Sequence, residues 1–292
     1  MNAKTSSLRR YWHSLRAIAV LLLIVLIAIR VTGVAEQLAY WPTRDTPPTP
    51  LGYEDIWITT PDGVKLHAWF MPAKGIPSEV KAPAVLHVHG NAGNIGNHES
   101  FSSYLTDHGM HVLLFDYRCY GRSDESGPLN RKHLAIDTKA ALDALLNHPR
   151  VDPDRIGVLG VSLGGPFALN AIENEPRVRA VSTLSTFSSW SGVARDMSKL
   201  GPLLFPSGDR GLDPIKAVNF LRNQPYLILH GDDDEIIDPR HADLIYNQAL
   251  HAGLDVTLAR YPGDHNSLIQ VNHDARSQLI QFFISHLTVN EN

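Results

Sequence analysis

From residue 53 onward, short apolar runs alternate with amphipathic stretches along the chain. The runs at residues 53–59 and 64–71 flank Pro61-Asp62-Gly63, a turn sequence, and predict an antiparallel hairpin. Six further runs follow, at residues 84–89, 111–116, 155–161, 178–184, 226–230 and 256–261. Between and after them, helical spacing appears near residues 98–107, 133–147, 163–173, 214–223, 240–252 and 272–287. Strands followed in turn by helices predict an α/β fold with a mostly parallel central sheet covered on both faces. In such a sheet, chemistry gathers in the loops at the carboxyl ends of the strands. Residues 187–212 break the rhythm, carrying Trp190, Met197, Leu200, Leu203, Leu204 and Phe205 between a strand and the next helix. They predict a small cap insert over that edge.

The N-terminal pattern is different. Residues 17–29 are apolar without interruption and follow a basic tail, residues 1–16, with Lys4, Arg9, Arg10 and Arg16. Continued through a snorkelling Arg30 to residue 35, the run approaches the roughly 20 residues that span a bilayer. Residues 17–35 are therefore expected to be a single-pass signal anchor, with Tyr40, Trp41 and Arg44 at the outer interface. The alternative is a signal peptide cleaved at the small residues Gly33, Val34 and Ala35, leaving a secreted or periplasmic protein. In both cases the basic flank puts the remainder on the non-cytoplasmic side. Residues 36–51, rich in Pro, read as a stiff linker, and residues 52–289 as one folded domain.

Composition narrows the function. Of 292 residues, 43% are hydrophobic, enough for a substantial core. Lys and Arg number 26 against 30 Asp and Glu, so no basic excess favours nucleic acid. The single cysteine, Cys119, excludes an internal disulfide and a Cys-clustered zinc site.

The chemistry-bearing residues fall in loops after strands. Gly160-Val161-Ser162-Leu163-Gly164 leaves the run 155–161 and opens a helix, a G-x-S-x-G turn that presents a serine nucleophile. The hydroxyl needs a base, and the base needs an acid to orient it. Asp234 follows the run 226–230 and His265 follows the run 256–261, in the required order. His273 is a rival base, and the neighbouring Asp232, Asp233, Glu235 and Asp238 also read as a solvated acidic loop. Backbone N–H groups of Leu163 and Asn91 are the expected oxyanion donors, Asn91 lying in the loop His89-Gly90-Asn91-Ala92-Gly93-Asn94. That loop also outlines a dinucleotide site, but its spacing, Gly90-x-x-Gly93-x-x-Gly96, is not G-x-G-x-x-G. His87 and His89 alternate on one strand face and are expected to pack rather than ligate.

Together with Asp116-Tyr117-Arg118-Cys119-Tyr120-Gly121-Arg122-Ser123 and His230-Gly231-x-x-Asp234, these motifs resemble the α/β-hydrolase superfamily. The closest branch is the short-cap, often membrane-anchored hydrolases: monoacylglycerol and lysophospholipid lipases, depalmitoylases and serine aminopeptidase-like enzymes. The resemblance implies a serine hydrolase with Ser162 as nucleophile, Asp234 as acid, His265 as base and no cofactor or metal. Its substrate would be a small-molecule or lipid-like ester or thioester. An inactive hydrolase-fold binding module and a dinucleotide-dependent oxidoreductase are the alternatives. Two residues depart from the pattern. Cys119 stands where relatives commonly carry Gly. Asp264 precedes the histidine where a small residue is usual, and is expected to add a carboxylate that raises the imidazole pKa.

Overall fold

The computed structural model describes residues 12, 15–16, 18–28, 34–205 and 211–288. Parts of the expected anchor (17 and 29–33), most of the basic tail, cap positions 206–210 and residue 289 lie outside the described residues. Residues 18–28 are helical, with Leu21, Leu22, Ile24 and Ile27 all exposed. Among the described residues no helix is long and apolar enough to cross a membrane.

The eight strands of the main sheet are β1 (Glu54–Thr59), β2 (Lys65–Met71), β3 (Ala82–Val88), β4 (His111–Phe115), β5 (Val151–Val161), β6 (Val178–Leu184), β7 (Tyr226–Gly231) and β8 (Val256–Tyr261). Their order is β8-β7-β6-β5-β3-β4-β2-β1. β1 and β2 form the expected antiparallel hairpin, β2 meets β4 antiparallel, and every other pairing is parallel. Alternation along the strands divides the core between the two faces. Leu66, Ala68 and Phe70 of β2 join one apolar cluster, and Trp69 and Met71 join the other. Helices α1 (Arg131–Leu146), α2 (Gly164–Ala171) and α4 (Arg240–His251) pack on the first face, and α5 (His273–Leu287) on the second. This is the doubly covered α/β sheet that the sequence predicts.

Two expected helices are shorter or tighter in the structure. Near residues 98–107 the chain makes 3₁₀ turns at Glu99–Phe101 and Ser103–His108. The break falls at Ser102, whose hydroxyl pairs with buried His87 Nδ1 at 2.8 Å. The stretch 214–223 is a short helix, Pro214–Ala217, with a 3₁₀ turn at Val218–Phe220, and Leu221 is already extended. His87 and His89 are fully buried, and burial pushes both imidazoles well below their usual range, so they pack as neutral rings.

The insert after β6 divides its apolar residues between two jobs. Phe187, Trp190 and Leu212 close the core, with Trp190 Nε1 donating to the Leu212 carbonyl at 2.7 Å. Met197 and Leu200, at 76% and 69% exposure, face outward from α3 (Trp190–Met197) and the turn after it. A buried latch holds α3 to α4. His241 Nδ1 accepts from the Ser188 amide at 3.1 Å and lies 2.7 Å from its hydroxyl, while Nε2 reaches Asp196 at 2.8 Å. Ser188 is 2% exposed, so this second Ser-His-Asp set is a structural tie.

The loop after β4 is anchored by Arg118. Its guanidinium is 1% exposed and bonds Asp137 of α1 at 2.7 Å and Asp62 of the hairpin turn at 2.9 Å. Breaking a buried pair of this kind costs about 3–5 kcal/mol. Next to it, Cys119 has φ +67°, a left-handed backbone that penalises any Cβ. Burial pushes its thiol up, away from the reactive thiolate. Cys119→Gly is expected to raise stability by about 0.5–1 kcal/mol. Urea denaturation measures this, and a loss of stability would contradict the strain assigned here.

Candidate active site

Because β5, β7 and β8 run parallel, the loops leaving them share one edge of the sheet. Ser162 follows β5 at φ +51°, squeezed into a left-handed turn before α2. The residues two before and two after it must be glycine. A Cβ on Gly164 would land inside the carbonyl of Val88, and one on Gly160 would lie 2.8 Å from Ala168 Cβ and Gly165 Cα. The turn is held by Ser162 N donating to the Leu184 carbonyl at 2.8 Å and by Thr186 Oγ1 donating to the Ser162 carbonyl at 2.8 Å.

Asp234 and His265 arrive from the next two loops. His265 Nδ1 lies 2.7 Å from Asp234 Oδ2, and its Nε2 lies 3.0 Å from Ser162 Oγ. Asp234 is buried, which by itself disfavours its charge, but hydrogen bonds from His230 and His265 outweigh that. The carboxyl is held well below the usual carboxylate range and stays ionised. Its Oδ1 also accepts the Ile236 and Ile237 amides at 3.0 and 2.8 Å. An anionic Asp234 makes Nδ1 the protonated nitrogen of His265 and leaves Nε2 to accept from the serine. The three residues expected from chain order therefore meet. His273, the rival base, opens α5 and has no part in this relay.

The expected oxyanion donors flank the serine. Leu163 directly follows it, at the N-terminal end of α2. The Gly90-Asn91 loop is adjacent: a Cβ on Gly90 would lie 3.6 Å from Ser162 Cβ. Among the described residues, no acceptor takes the amide N–H of Asn91 or of Leu163.

Two histidines that the sequence left unassigned also shape the site. His230, fully buried, puts Nε2 3.1 Å from Asp234 Oδ2 and 2.9 Å from the Ile237 carbonyl. His98 stacks on His89 at 4.8 Å and pairs Nε2 with the Ala92 carbonyl at 2.8 Å. The pairing of His230 with an acid four residues on was the one readable signal; His98 had none.

Asp264 corrects an expectation. Its carboxylate does not approach the imidazole of His265; it accepts the Asn266 and Ser267 amides at 2.9 and 2.8 Å and the Ser267 hydroxyl at 2.9 Å. The Ser267 hydroxyl and these amides lower its pKa. It is a turn cap.

A model of the alpha/beta hydrolase fold matches residues 83–210. The alpha/beta hydrolase domain-containing protein WAV2 of Arabidopsis thaliana is 33% identical, over 80% of this chain and 83% of its own length. The chain belongs to the alpha/beta-hydrolase family. An uncharacterized protein, YfhR of Salmonella typhi, is 34% identical to this hydrolase-fold chain over 86% of it and 87% of the relative. Among solved structures, the Pyrococcus furiosus esterase Pf2001 shares the fold with a TM-score of 0.71 at 21% identity, over 85% of this chain and 98% of that one. A Pyrococcus horikoshii acylaminoacyl peptidase does so with a TM-score of 0.63 at 17% identity, over 82% and 42%. At these identities the two structures speak for the hydrolase fold alone.

Since Asn presents the same Oδ1 acceptor, Asp264→Asn is expected to leave the pH dependence of any Ser162-dependent turnover unchanged. A pH–rate profile checks it. A shifted acid limb would restore the second-carboxylate expectation.

Proposed function

We propose that this chain is a serine hydrolase cleaving a carboxylic ester or thioester through an acyl-enzyme. The observation that carries the reading is the unbroken relay from Asp234 Oδ2 through His265 to Ser162 Oγ, at 2.7 and 3.0 Å. Ser162 Oγ attacks the substrate carbonyl and its proton passes to His265 Nε2. The imidazolium so formed is stabilised by the Asp234 carboxylate. Negative charge on the substrate oxygen meets the N–H groups of Leu163 and Asn91, backed by the N-terminal end of α2. The tetrahedral intermediate collapses, His265 protonates the leaving alkoxide or thiolate, and a water activated by the same imidazole releases the acid.

The lipid-like part of the reading rests on exposure. Met197, Leu200 and Leu203 stand outward on the cap, on the edge that carries Ser162, where an acyl chain would be met. The helix at residues 18–28 exposes apolar side chains on all sides and follows the basic tail, which supports a membrane anchor with the domain on the non-cytoplasmic side.

Ser162→Ala is expected to lower turnover of p-nitrophenyl esters by about 10⁴-fold or more and to abolish fluorophosphonate labelling, with an unchanged melting temperature. Labelling that survives in the variant would assign the chemistry to another residue. Across a series of p-nitrophenyl esters, kcat/KM should rise with acyl length. A flat series removes the lipid-like substrate and leaves the esterase.

A further inference from the structure

Residues 36–43 leave the apolar helix behind and reach the sheet by way of the reactive edge. Glu36 Oε1 accepts from the Arg131 amide at 2.6 Å and from its Nε at 3.0 Å, which fixes the segment to the first turn of α1. Tyr40 is buried, and its hydroxyl reaches the same Glu36 oxygen at 3.3 Å. The next bonds go to Asn91. Its Nδ2 donates to the Ala39 carbonyl at 2.7 Å, and the Trp41 amide donates to its Oδ1 at 3.3 Å. Trp41–Pro42 then pairs in parallel with Ala92–Gly93, and the Thr43 amide donates to the Gly93 carbonyl at 3.0 Å. From the opposite side the Tyr120 hydroxyl donates to the Asn91 carbonyl at 2.8 Å.

Asn91 thus has its carbonyl and both side-chain polar atoms engaged. Among the described residues, only its amide N–H is left over, on the peptide it shares with Gly90, where a Cβ would lie 3.6 Å from Ser162 Cβ. A peptide clamped on every other group is an oriented dipole, and orientation is what an oxyanion donor contributes.

We propose that residues 36–43 are a positioning strap for the oxyanion side of the site. The strap holds the Asn91 peptide so that its N–H meets the substrate oxygen as charge develops there. The segment between the apolar helix and the sheet is then part of the reactive apparatus instead of a spacer. This inference rests on the serine-hydrolase reading. Glu36 and the Asn91 side chain are positioning groups; the donor is the Asn91 backbone. A loosened strap leaves ground-state binding alone and weakens only the stabilisation of the oxyanion, so kcat falls while KM holds.

The test uses the full chain and pairs a p-nitrophenyl ester with its thionoester. Sulfur accepts hydrogen bonds poorly, so a well-placed donor favours the ester, and a displaced donor narrows the ratio of the two rates. Asn91→Ala, which keeps the amide and removes the clamp, is expected to lower kcat for the ester about 10- to 100-fold at constant KM. The ester-to-thionoester ratio should narrow by a similar factor. Glu36→Ala should move both in the same direction by several-fold, and Glu36→Gln, which keeps the accepting oxygen, should restore them. If kcat and the ratio stay at wild-type values in Asn91→Ala and Glu36→Ala while fluorophosphonate still labels Ser162, the strap is wrong and the serine hydrolase stands. Equal losses on ester and thionoester also overturn it, since that is the mark of a merely structural role. If Asn91→Ala fails to fold by thermal melting, the Glu36 pair decides. If the wild type is not labelled at Ser162, the parent reading falls and the strap with it.

Discussion

The reactive edge depends on a turn with no room for a side chain two residues before or two residues after its serine. β5 must hand the chain to α2 within a few residues, while α2 must lie close enough to β3 that Gly164 touches the Val88 carbonyl. A left-handed residue midway between Gly160 and Gly164 closes that geometry, and Ser162 takes it at φ +51°. The strain is offset by the packing of α2 between the sheet and its neighbours, with Phe167, Ala168 and Leu169 fully buried. A flexible serine would cost nothing in backbone energy, but it would not hold its hydroxyl at 3.0 Å from an imidazole delivered from another loop.

Charge around this turn is arranged with few buried ions. Asp234 is the one carboxylate that must stay anionic, and amides from Ile236 and Ile237 together with two histidines replace its water shell. Nearby, His87 and His89 are neutral by burial, so they add no positive charge that would compete for Asp234. Asp116 shows the opposite choice. Burial raises its pKa, and it serves mainly as an acceptor for the Ile95 amide at 2.9 Å. Arg118 ties the same loop to α1 and the hairpin, and so fixes Tyr120, which in turn grips Asn91. Residues far from Ser162 thereby set the geometry beside it.

Much of this was legible in the sequence, for identifiable reasons. The strand at 178–184 has the same bounds in both readings because it is buried at every position but Arg179, and a doubly covered parallel strand leaves a mostly apolar run, a local signal. Ser162, Asp234 and His265 could be assigned because each sits one loop after a strand, and parallel strands bring those loops to one edge. What stayed hidden depends on long-range pairing. Nothing local in Asn91 announces a partner 52 positions earlier at Ala39, and nothing in Arg118 announces Asp62. Asp264 misled for the converse reason: its neighbour in sequence is His265, but a short side chain in a tight turn bonds the amides two and three residues ahead first. The Pro-rich stretch reads as a stiff linker, yet residues 36–43 dock on the domain through Asn91, Gly93 and Arg131, partners far away in sequence.

Docking has a cost that a spacer avoids. Ordering each residue of residues 36–43 forfeits about 1–2 kcal/mol of backbone entropy, so the segment stays in place only if its bonds and the burial of Tyr40 compensate. Those bonds are concentrated at Glu36 and at Asn91 through Gly93, the end of the strand that adjoins Ser162. A tether attached anywhere on the opposite edge would connect the helix to the sheet equally well. Attached here, the bonds that offset the ordering are made to the loop that adjoins Ser162.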